Sequence, residues 1–331
     1  MTDPADDDAA TEQLTYADTG VDIEASEDAT AALLEAFGSD LTTEYAGLLD
    51  IGDRYLALAT DGVGTKLMVA EAIEDFSTIG IDCIAMNVND LVAAGVEPVA
   101  FVDYLAIDEP DDDLTNEIGE GLAVGLEESG MTLLGGETAV MPDVVTGFDL
   151  AGTCAGLAGK DEILEGEAQV GDVLVGFASN GIHSNGLTLA REAVTRDHEY
   201  TDAFPHDDER TIGEELLRPT RLYTSLLEPM REHGVRAAAH ITGGGWTNLL
   251  RMGEHEYVIE DPFPAQPIFE FVQAEGKVTD EEMHRTFNMG TGFVVAVPED
   301  RAAALVDDTD GQIIGHVEAG NSVEIRGLSL S

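Results

Sequence analysis

Acidic side chains are so frequent along this 331-residue chain that the stretches without them become informative. The sequence has 67 Asp and Glu residues against 15 Lys and Arg residues, a formal net charge of −52. Self-repulsion of this size destabilises a compact state in dilute buffer, and salt at 1 M screens it within about 3 Å. We therefore expect a halophilic protein from a salt-rich cytoplasm. The same charge argues against nucleic acid and anionic membranes as partners.

Three windows contain no acidic residue, namely 173–191, 235–253 and 283–297. Core strands account for their apolar parts, because buried strands exclude charge. They do not account for "SNGIHSNG" and "TGGGWTN", which are polar, rich in glycine and typical of loops. In a chain this acidic, such loops are expected to carry carboxylates unless they face an anion. The windows therefore indicate an anion-binding surface, with phosphate as the first candidate.

The length and the hydrophobic content of 44% are sufficient for two domains with a large core. No apolar run reaches the ~18 residues of a membrane span, and the N-terminus lacks a signal-peptide pattern, so we expect a cytoplasmic protein. Cys83 and Cys154 are isolated in the sequence and are expected to be buried small hydrophobes.

Strands and helices alternate irregularly in both halves, which predicts an α/β (α+β) fold with two mixed-sheet domains. The polar connector 159–172 separates them. The predicted organisation is an acidic tail at 1–25, an N-terminal domain at 26–165 and a C-terminal domain at 166–331. Strands are predicted at 54–60, 98–107, 131–134, 149–158, 173–178, 237–241, 292–297, 312–318 and 322–327. Helices are predicted at 27–37, 66–75, 80–94, 113–129, 184–195, 209–217, 221–233, 246–252, 266–275, 279–285 and 299–306.

The stretch "LALATDGVGTKLMVAEAIEDF" predicts a strand, a glycine turn and a helix. It matches neither the Walker loop nor the dinucleotide fingerprint, because Leu67 stands where each template needs another residue. Lys66, one of three lysines in the chain, is a candidate phosphate contact. The alternative is a simple turn.

The segment 77–95 predicts a buried helix, since apolar residues occupy two opposite sides. Asp90 falls where this pattern calls for a hydrophobe and therefore needs a cation, a donor network or a metal. The alternative is a carboxylate in the last turn that reaches solvent. Asp82 is predicted to face solvent.

"LLGGETAVMP" contains one charge, Glu137, after a short strand and two glycines. The amides near Gly135 and Gly136 suit an anion, and Glu137 suits a cation beside it; a tight turn with an exposed Glu is the alternative. Asp61, Asp90 and Glu137 are oxygen donors of the kind that Mg²⁺ prefers. We expect all three to lie at one edge of a sheet.

His183 of "SNGIHSNG" is a candidate for phosphate binding or proton transfer, and the alternative is a local hydrogen-bonding role. "TGGGWTN" is a candidate helix N-terminus that presents amides to an anion. Trp246 is predicted to pack in the core. Neither a zinc-binding histidine pattern nor a G-x-S-x-G motif is present in the sequence.

Taken in order, these motifs resemble the phosphoribosylformylglycinamidine cyclo-ligase family. The runs that carry the resemblance are "YADTGVDI", "TDGVGTKL", "TIGIDCIAMNVNDLVAAGVEPVAFVDYLA", "LLGGETAVMP", "SNGIHSNG", "LLRPTRLY", "AHITGGGWTN" and "RTFNMGTGF". They span residues 16 to 293, and the full set is far more specific than "TDGVGTK" alone. Family members often carry a Phe-containing, Gly-rich stretch before this turn; here "SDLTTEYAGLLDIGDR" stands there, so no contact is assigned to it.

The resemblance implies a homodimer whose N-terminal domains form an intersubunit β-barrel. It also implies conversion of formylglycinamidine ribonucleotide and ATP into aminoimidazole ribonucleotide, ADP and phosphate. Mg²⁺ would be held by Asp61, Asp90 and Glu137, and a need for K⁺ is left open. The implied catalytic residues are Asp61, Lys66, Asp90 and His183. The implied nucleotide-binding residues are Asp61, Gly62, Gly64, Thr65, Lys66, Asp90, Gly135, Gly136, Glu137 and Thr138. The implied substrate-binding residues are His183, Ser184, Asn185, Thr242, Gly243, Gly244 and Gly245.

Two other functions stay open at this point. Thiamine-monophosphate kinase shares the superfamily fold and is the alternative enzyme. A non-catalytic nucleotide-binding regulator is the alternative of another class, although it would be expected to have lost Asp61, Lys66 or Asp90.

Overall fold

The computed structural model describes residues 13–20, 32, 45–164 and 167–331. The helix predicted at 27–37 and the acidic tail at 1–25 fall largely outside these ranges. Within the described part of the chain, the helices are too short or too polar to cross a membrane.

The N-terminal half forms a five-stranded sheet in the order β1-β2-β5-β3-β4. Its strands are β1 Gly47–Asp50, β2 Arg54–Gly62, β3 Glu97–Ile107, β4 Thr132–Val140 and β5 Phe148–Gly159. β3 and β4 are parallel, and the other neighbours are antiparallel. Side chains alternate between the two faces, so Ala57 and Ala59 are buried whereas Leu58 is 49% exposed. One face is therefore covered and the other is open.

Helices cover the first face of this sheet. They are α1 Leu67–Ile73, α2 Ile79–Ala93 and α3 Asp112–Ser129. α2 lies against β2, β3 and β5, and it has buried residues on all sides, as its sequence predicted. α3 begins at an Asp111 N-cap and ends at Gly130, whose positive φ of 72° suits glycine.

α2 and α3 cross at three glycines. A Cβ on Gly80 would overlap the backbone of Ile118 and Leu122, and one on Gly121 would lie 2.8 Å from the carbonyl oxygen of Ser77. Gly125 meets Ile84 in the same way, at 2.8 Å. The backbones of the two helices can approach this closely only because these side chains are absent.

Gly80→Ala is therefore expected to lower the free energy of unfolding by about 3 kcal/mol, because the added methyl group overlaps backbone that cannot rotate away. Gly119→Ala is the control, since it lies in the same helix with open space around its Cβ position. The control should gain about 0.5–1 kcal/mol from helix propensity. Urea titrations in molar KCl would measure both, and equal effects of the two substitutions would contradict the close crossing.

The C-terminal half forms a seven-stranded sheet in the order β14-β13-β10-β12-β6-β11-β9. Its strands are β6 Val173–Ala178, β9 Ala237–His240, β10 Glu256–Ile259, β11 Thr291–Val297, β12 Gln312–Glu318, β13 Ser322–Ile325 and β14 Leu328–Leu330. A separate hairpin pairs β7 Ala203–Phe204 with β8 Asp207–Thr211. The helices of this half are α4 Leu187–Val194, α5 Ile212–Leu216, α6 Leu227–Glu232, α7 Pro267–Gly276, α8 Asp280–Thr286 and α9 Glu299–Asp308.

The three windows without acid supply the neighbouring strands β6, β11 and β9. All seven residues of β11 are buried. β6 and β9 both run antiparallel to β11, so they are parallel to each other and end at the same edge of the sheet. The loops that follow them, "SNGIHSNG" and "TGGGWTN", therefore emerge side by side.

Long-range contacts changed several predicted elements. The helix predicted at 221–233 consists of a short 3-10 turn, Thr224–Leu226, followed by α6. The chain before this turn is held by α2 instead, because the amide of Tyr223 donates to Asn89 Oδ1 at 2.9 Å. The helix predicted at 209–217 is reduced to α5, and β10 was not predicted.

Candidate active site

The glycine turn has the predicted order of strand, turn and helix. β2 ends at Gly62, a 3-10 turn covers Gly64–Lys66, and α1 begins at Leu67. Gly64 has a φ of +72°, which explains a glycine at this position. The carboxylate of Asp61 accepts the amide of Gly62 at 2.7 Å, so the side chain is held at the mouth of the turn.

α2 supplies the opposite wall of the turn. Asn87 is fully buried and donates from Nδ2 to the carbonyl of Asp61 at 3.1 Å, which fixes the end of β2 against the helix. One helical turn further, Asp90 Oδ1 lies 3.0 Å from Nδ1 of His240, at the end of β9. Asp90 therefore has the partner that its position in the sequence required, and the partner comes from the other half of the chain.

The contacts of His240 indicate one tautomer. Its ring is 1% exposed, and its Nε2 lies 3.4 Å from Nδ2 of Asn89, a group that only donates. When the ring carries one proton, these contacts place that proton on Nδ1, from which it is donated to Asp90. This contact orients one carboxylate oxygen and leaves the other available.

Asp61 and Asp90 repel each other across this space. The pKa of Asp61 is raised to about 6, first by burial and then by the negative charge of Asp90. Asp61 is nevertheless exposed to solvent. Its pKa is raised because many protein atoms surround the carboxylate and replace part of its hydration. The two carboxylates are thus near enough to interact electrostatically, and paired acidic groups of this kind suit a divalent cation.

His183 is enclosed by the "SNGIHSNG" loop. It is 1% exposed, has a φ of +67° and lies with Nε2 2.9 Å from Oδ1 of Asn180. Burial, with the nearby positive groups of His240, Lys66 and Arg221, holds its pKa well below the ordinary 6.5. His183 is thus neutral and locally hydrogen-bonded, which matches the local alternative and gives no support to an ionic phosphate contact.

The two glycine-rich loops touch beside His183. A Cβ on Gly243 would lie 3.4 Å from Oδ1 of Asn185, and Asn185 donates to the sulfur of Met86 on α2 at 3.6 Å. Gly245 opens a 3-10 helix that runs to Met252, so "TGGGWTN" does begin a helical segment. Trp246 is fully buried in the core of this half, as predicted.

One cavity of about 210 Å³ joins the predicted turn to the predicted loop. It is lined by Tyr16, Asp61, Gly62, Val63, Gly64, Thr65, Met86, Ser184, Asn185, Gly186, Leu187 and Thr188. Thr65 and Thr188 join across it through their hydroxyls, 2.9 Å apart. Of these lining side chains, Asp61 alone is charged.

A larger concavity of about 900 Å³ lies elsewhere, beside α1 and the start of α3. Its carboxylates are Glu71, Glu74, Asp108, Glu109, Asp111, Asp113 and Glu117, and no basic residue lines it. A field of that sign repels phosphate. The smaller cavity is therefore the better candidate for an anionic ligand.

The structure does not bring Glu137 to Asp61 within one chain. One row of residues runs across four neighbouring strands of the sheet, so their side chains share the covered face. The row consists of Asp61 on β2, Gly152 on β5, Asp103 on β3 and Gly136 on β4. Glu137 is the next residue and points to the open face. Within the described part of the chain, the one group of three His, Cys, Asp or Glu side chains whose ligand atoms all lie within 4.8 Å of one another is Glu232, His233 and Asp308.

The strand predicted at 131–134 is longer than expected, and it includes the two glycines before Glu137, so the alternative of a tight turn is wrong. β4 continues through Gly135, Gly136 and Thr138 to Val140, in parallel register with β3. A Cβ at Gly136 would overlap the carboxylate of Asp103, which would have to move to make room for it. These residues are structural parts of the strand in this chain.

The prediction that Asp82 faces solvent is wrong. Asp82 is fully buried, and its Oδ2 lies 2.7 Å from Nζ of Lys66, which is also fully buried. Burial lowers the pKa of Lys66, and the carboxylate of Asp82 opposes that shift. Removing one partner from such a pair costs about 3–5 kcal/mol. In this arrangement Lys66 is not free to meet a phosphate in the cleft.

Sequence reasoning missed Asn87 and His240. His240 stands at the end of an apolar strand in a window without acid, and that position was a usable signal. Asn87 lies three residues before Asp90, hence on a neighbouring part of the helix surface. A buried amide in an otherwise apolar helix was a second signal, for the same reason as Asp90.

Comparison with known proteins gives matches over both halves. A family model described as "AIR synthase related protein, N-terminal domain" matches residues 43–158. Its C-terminal counterpart matches residues 169–327. The phosphoribosylformylglycinamidine cyclo-ligase of Methanococcoides burtonii is 49% identical over 329 residues, covering 96% of this chain and 98% of the relative.

Solved structures share the fold at low identity. AaThiL complexed with AMPPCP and TMP matches with a TM-score of 0.66 and 16% identity, over 91% of this chain and 93% of that one. T. maritima PurL complexed with FGAR matches with a TM-score of 0.60 and 17% identity, over 86% of this chain and 46% of that one. At these identities the structures establish a shared fold.

Proposed function

The chain belongs to the phosphoribosylformylglycinamidine cyclo-ligase family, and from this premise we propose that the 210 Å³ cavity is part of its active site. The protein is an ATP-dependent ligase of purine biosynthesis that forms a C–N bond to close an imidazole ring. The observation that supports this location is that one cavity joins the Asp61 turn to the "SNGIHSNG" loop. The negative charge of Asp90 also reaches Asp61 and contributes to its raised pKa.

The proposed reaction starts with formylglycinamidine ribonucleotide and ATP. The formyl amide oxygen attacks the γ-phosphorus, and ADP leaves. The amidine nitrogen then attacks the activated carbon, the carbon–oxygen bond breaks, phosphate leaves with that oxygen, and loss of a proton gives aminoimidazole ribonucleotide. Phosphoryl transfer of this kind needs mainly positioning and charge neutralisation from the protein.

The backbone amides of Gly64 and Thr65 are the proposed contacts for the phosphates of ATP, since amides in a glycine turn suit an anion. The amides of Gly62 and Val63 already donate to Asp61 Oδ1 and to the carbonyl of Leu150. Ser184, Asn185 and Gly243 are proposed to contact the ribonucleotide, because they form the other wall beside the turn. His183 is neutral, so its proposed role is to hold the loop through Asn180.

The carboxylates of Asp61 and Asp90 fit Mg²⁺, because both are hard oxygen donors, and because burial together with the negative charge of Asp90 raises the pKa of Asp61. When bound, Mg²⁺ supplies charge neutralisation for the transferring phosphoryl group. Glu137 lies on the open face of its own chain, so it is not proposed as a ligand from the same subunit.

The proposed function is tested by supplying formylglycinamidine ribonucleotide, ATP and Mg²⁺ in molar KCl. Aminoimidazole ribonucleotide and ADP should appear together in equal amounts. Binding of ATP without ring closure would point to a regulator, and phosphorylation of thiamine monophosphate would point to the kinase. Either result would overturn the proposed reaction.

The open face of the N-terminal sheet is proposed to form a homodimer, as the family resemblance implied. Leu58, Val102 and Tyr104 project from this face and are 49%, 41% and 46% exposed. The register of β2, β5 and β3 places these side chains on the same side. A contiguous apolar face of this kind is typical of an interface.

Val102→Asp is expected to shift the protein from dimer to monomer, because it places a charge on the apolar face. Light scattering after size-exclusion chromatography in molar KCl measures the change. Val124→Asp is the matched control, since Val124 is 49% exposed on α3, which covers the other face. If the parent protein is a monomer, or if both variants stay dimeric, the proposed interface is wrong.

A further inference from the structure

The ion pair between Lys66 and Asp82 connects the glycine turn to α2. Lys66 is the last residue of the 3-10 turn, and Asp82 lies in the first turn of the helix. Their charged atoms are 2.7 Å apart, and both side chains are completely buried. Solvent therefore reaches neither group.

Both members of the pair also bind the segment "RPT" from the other half of the chain. Lys66 Nζ donates to the carbonyl of Arg218 at 2.7 Å. Asp82 Oδ1 accepts the amide of Thr220 at 2.7 Å and its hydroxyl at 2.6 Å. The ion pair thus fixes 218–220 against the end of the glycine turn.

Thr220 carries this connection to the substrate side of the cleft. Its hydroxyl proton is donated to Asp82, so the same oxygen accepts from Ser184 Oγ, which lies 3.2 Å away. Ser184 belongs to the "SNGIHSNG" loop and lines the candidate cavity. A continuous chain of contacts therefore joins Lys66, Asp82, Thr220 and Ser184 beneath the cleft.

We propose that Lys66 is a positioning residue that sets the spacing between the glycine turn and the "SNGIHSNG" loop through Asp82 and Thr220, and does not contact the phosphates of ATP. This inference rests on the proposed function of the cavity. Turning Lys66 toward a phosphate would leave Asp82 as an unpaired buried carboxylate and would break the bond to Arg218. One phosphate contact returns less than those losses.

The test compares Lys66→Met, Asp82→Asn and the double variant with the parent protein. The probe is the nonhydrolysable analogue AMPPNP with Mg²⁺, and its Kd is measured by calorimetry in molar KCl. Lys66→Met should weaken binding at least about tenfold, because the unpaired Asp82 distorts the turn. Asp82→Asn added to it should restore the Kd to within about threefold, since the neutral amide keeps an acceptor for Thr220.

A double variant that binds as weakly as Lys66→Met would show that the ammonium itself holds the nucleotide, which would overturn the proposal. Because binding needs no turnover, this result stands apart from the fate of the proposed reaction. If the parent protein binds AMPPNP but does not form aminoimidazole ribonucleotide, the proposed reaction is wrong. The binding comparison that tests Lys66 would remain valid.

Thr220→Val separates positioning from a merely structural role. It leaves the ion pair intact but removes the hydroxyl between Asp82 and Ser184. The KM for formylglycinamidine ribonucleotide should rise at least about fivefold at temperatures well below the unfolding midpoint, which itself falls because a buried hydrogen bond to Asp82 is lost. An unchanged KM, or a loss that follows the unfolding midpoint alone, would contradict a role in spacing the two walls.

Discussion

Asp61→Asn is expected to reduce turnover at least about 100-fold and, in the protein without Mg²⁺, to raise the unfolding midpoint. Turnover falls because the variant lacks one of the two carboxylates proposed to hold the metal. Stability rises because the native carboxylate is crowded and faces Asp90, which raises its pKa to about 6. A raised pKa in an acid means that folding favours the protonated form, so the stability contributed by that form is lost as the pH rises through about 6.

Calorimetric unfolding at several pH values without Mg²⁺ measures the second effect. The unfolding midpoint of the variant should exceed that of the parent at pH 7, and this difference should shrink as the pH falls through about 6. Asp53→Asn is the control, because Asp53 is exposed and directly precedes the same strand. It should change neither turnover nor the pH dependence of the unfolding midpoint. A variant that loses activity and also unfolds earlier at pH 7 would contradict the proposed repulsion.

Asp90→Asn is the second substitution with a large expected effect, again at least about 100-fold on turnover. The amide can still meet His240, because its carbonyl oxygen can accept the same proton from Nδ1. The shape of the site is therefore kept while its charge is lost. Turnover measured over a range of Mg²⁺ concentrations should show a higher concentration for half-maximal rate.

The combination with Asp61→Asn provides a control on this reasoning. If the two carboxylates act on one ion, the double variant should be little worse than either single variant. If turnover of the double variant is instead reduced by the product of the two single reductions, the two carboxylates act independently. Near-normal turnover of Asp90→Asn would remove Asp90 from the site.

Local patterns predicted much of the fold. The strand at 173–178 has the predicted bounds, and α2 is buried as its two apolar stripes required. The windows without acid became neighbouring strands, since charge is excluded from a sheet that is covered on both faces. The order of strand, glycine turn and helix at Asp61 also followed from the sequence.

The failed predictions all depended on contacts between distant parts of the chain. Asp82 looked solvent-facing because its partner Lys66 is 16 residues earlier, beyond any helical repeat. Glu137 was grouped with Asp61 because both follow apolar strands. The face of the sheet on which Glu137 lies depends on the register of β4 against β3, and this register shifts after Phe101. A shift of one residue reverses the side on which every later side chain lies.

The sealed pair beneath the glycine turn also bears on how this protein responds to dilution of its medium. Dissolved ions weaken or strengthen interactions among the many carboxylates outside, but they have no access to Lys66 and Asp82. The strength of the buried ion pair between Lys66 and Asp82 should therefore be the same at high and at low salt concentration. Loss of salt would then act on the exterior and on the proposed subunit interface, while the geometry beneath the cleft persists for as long as the fold does.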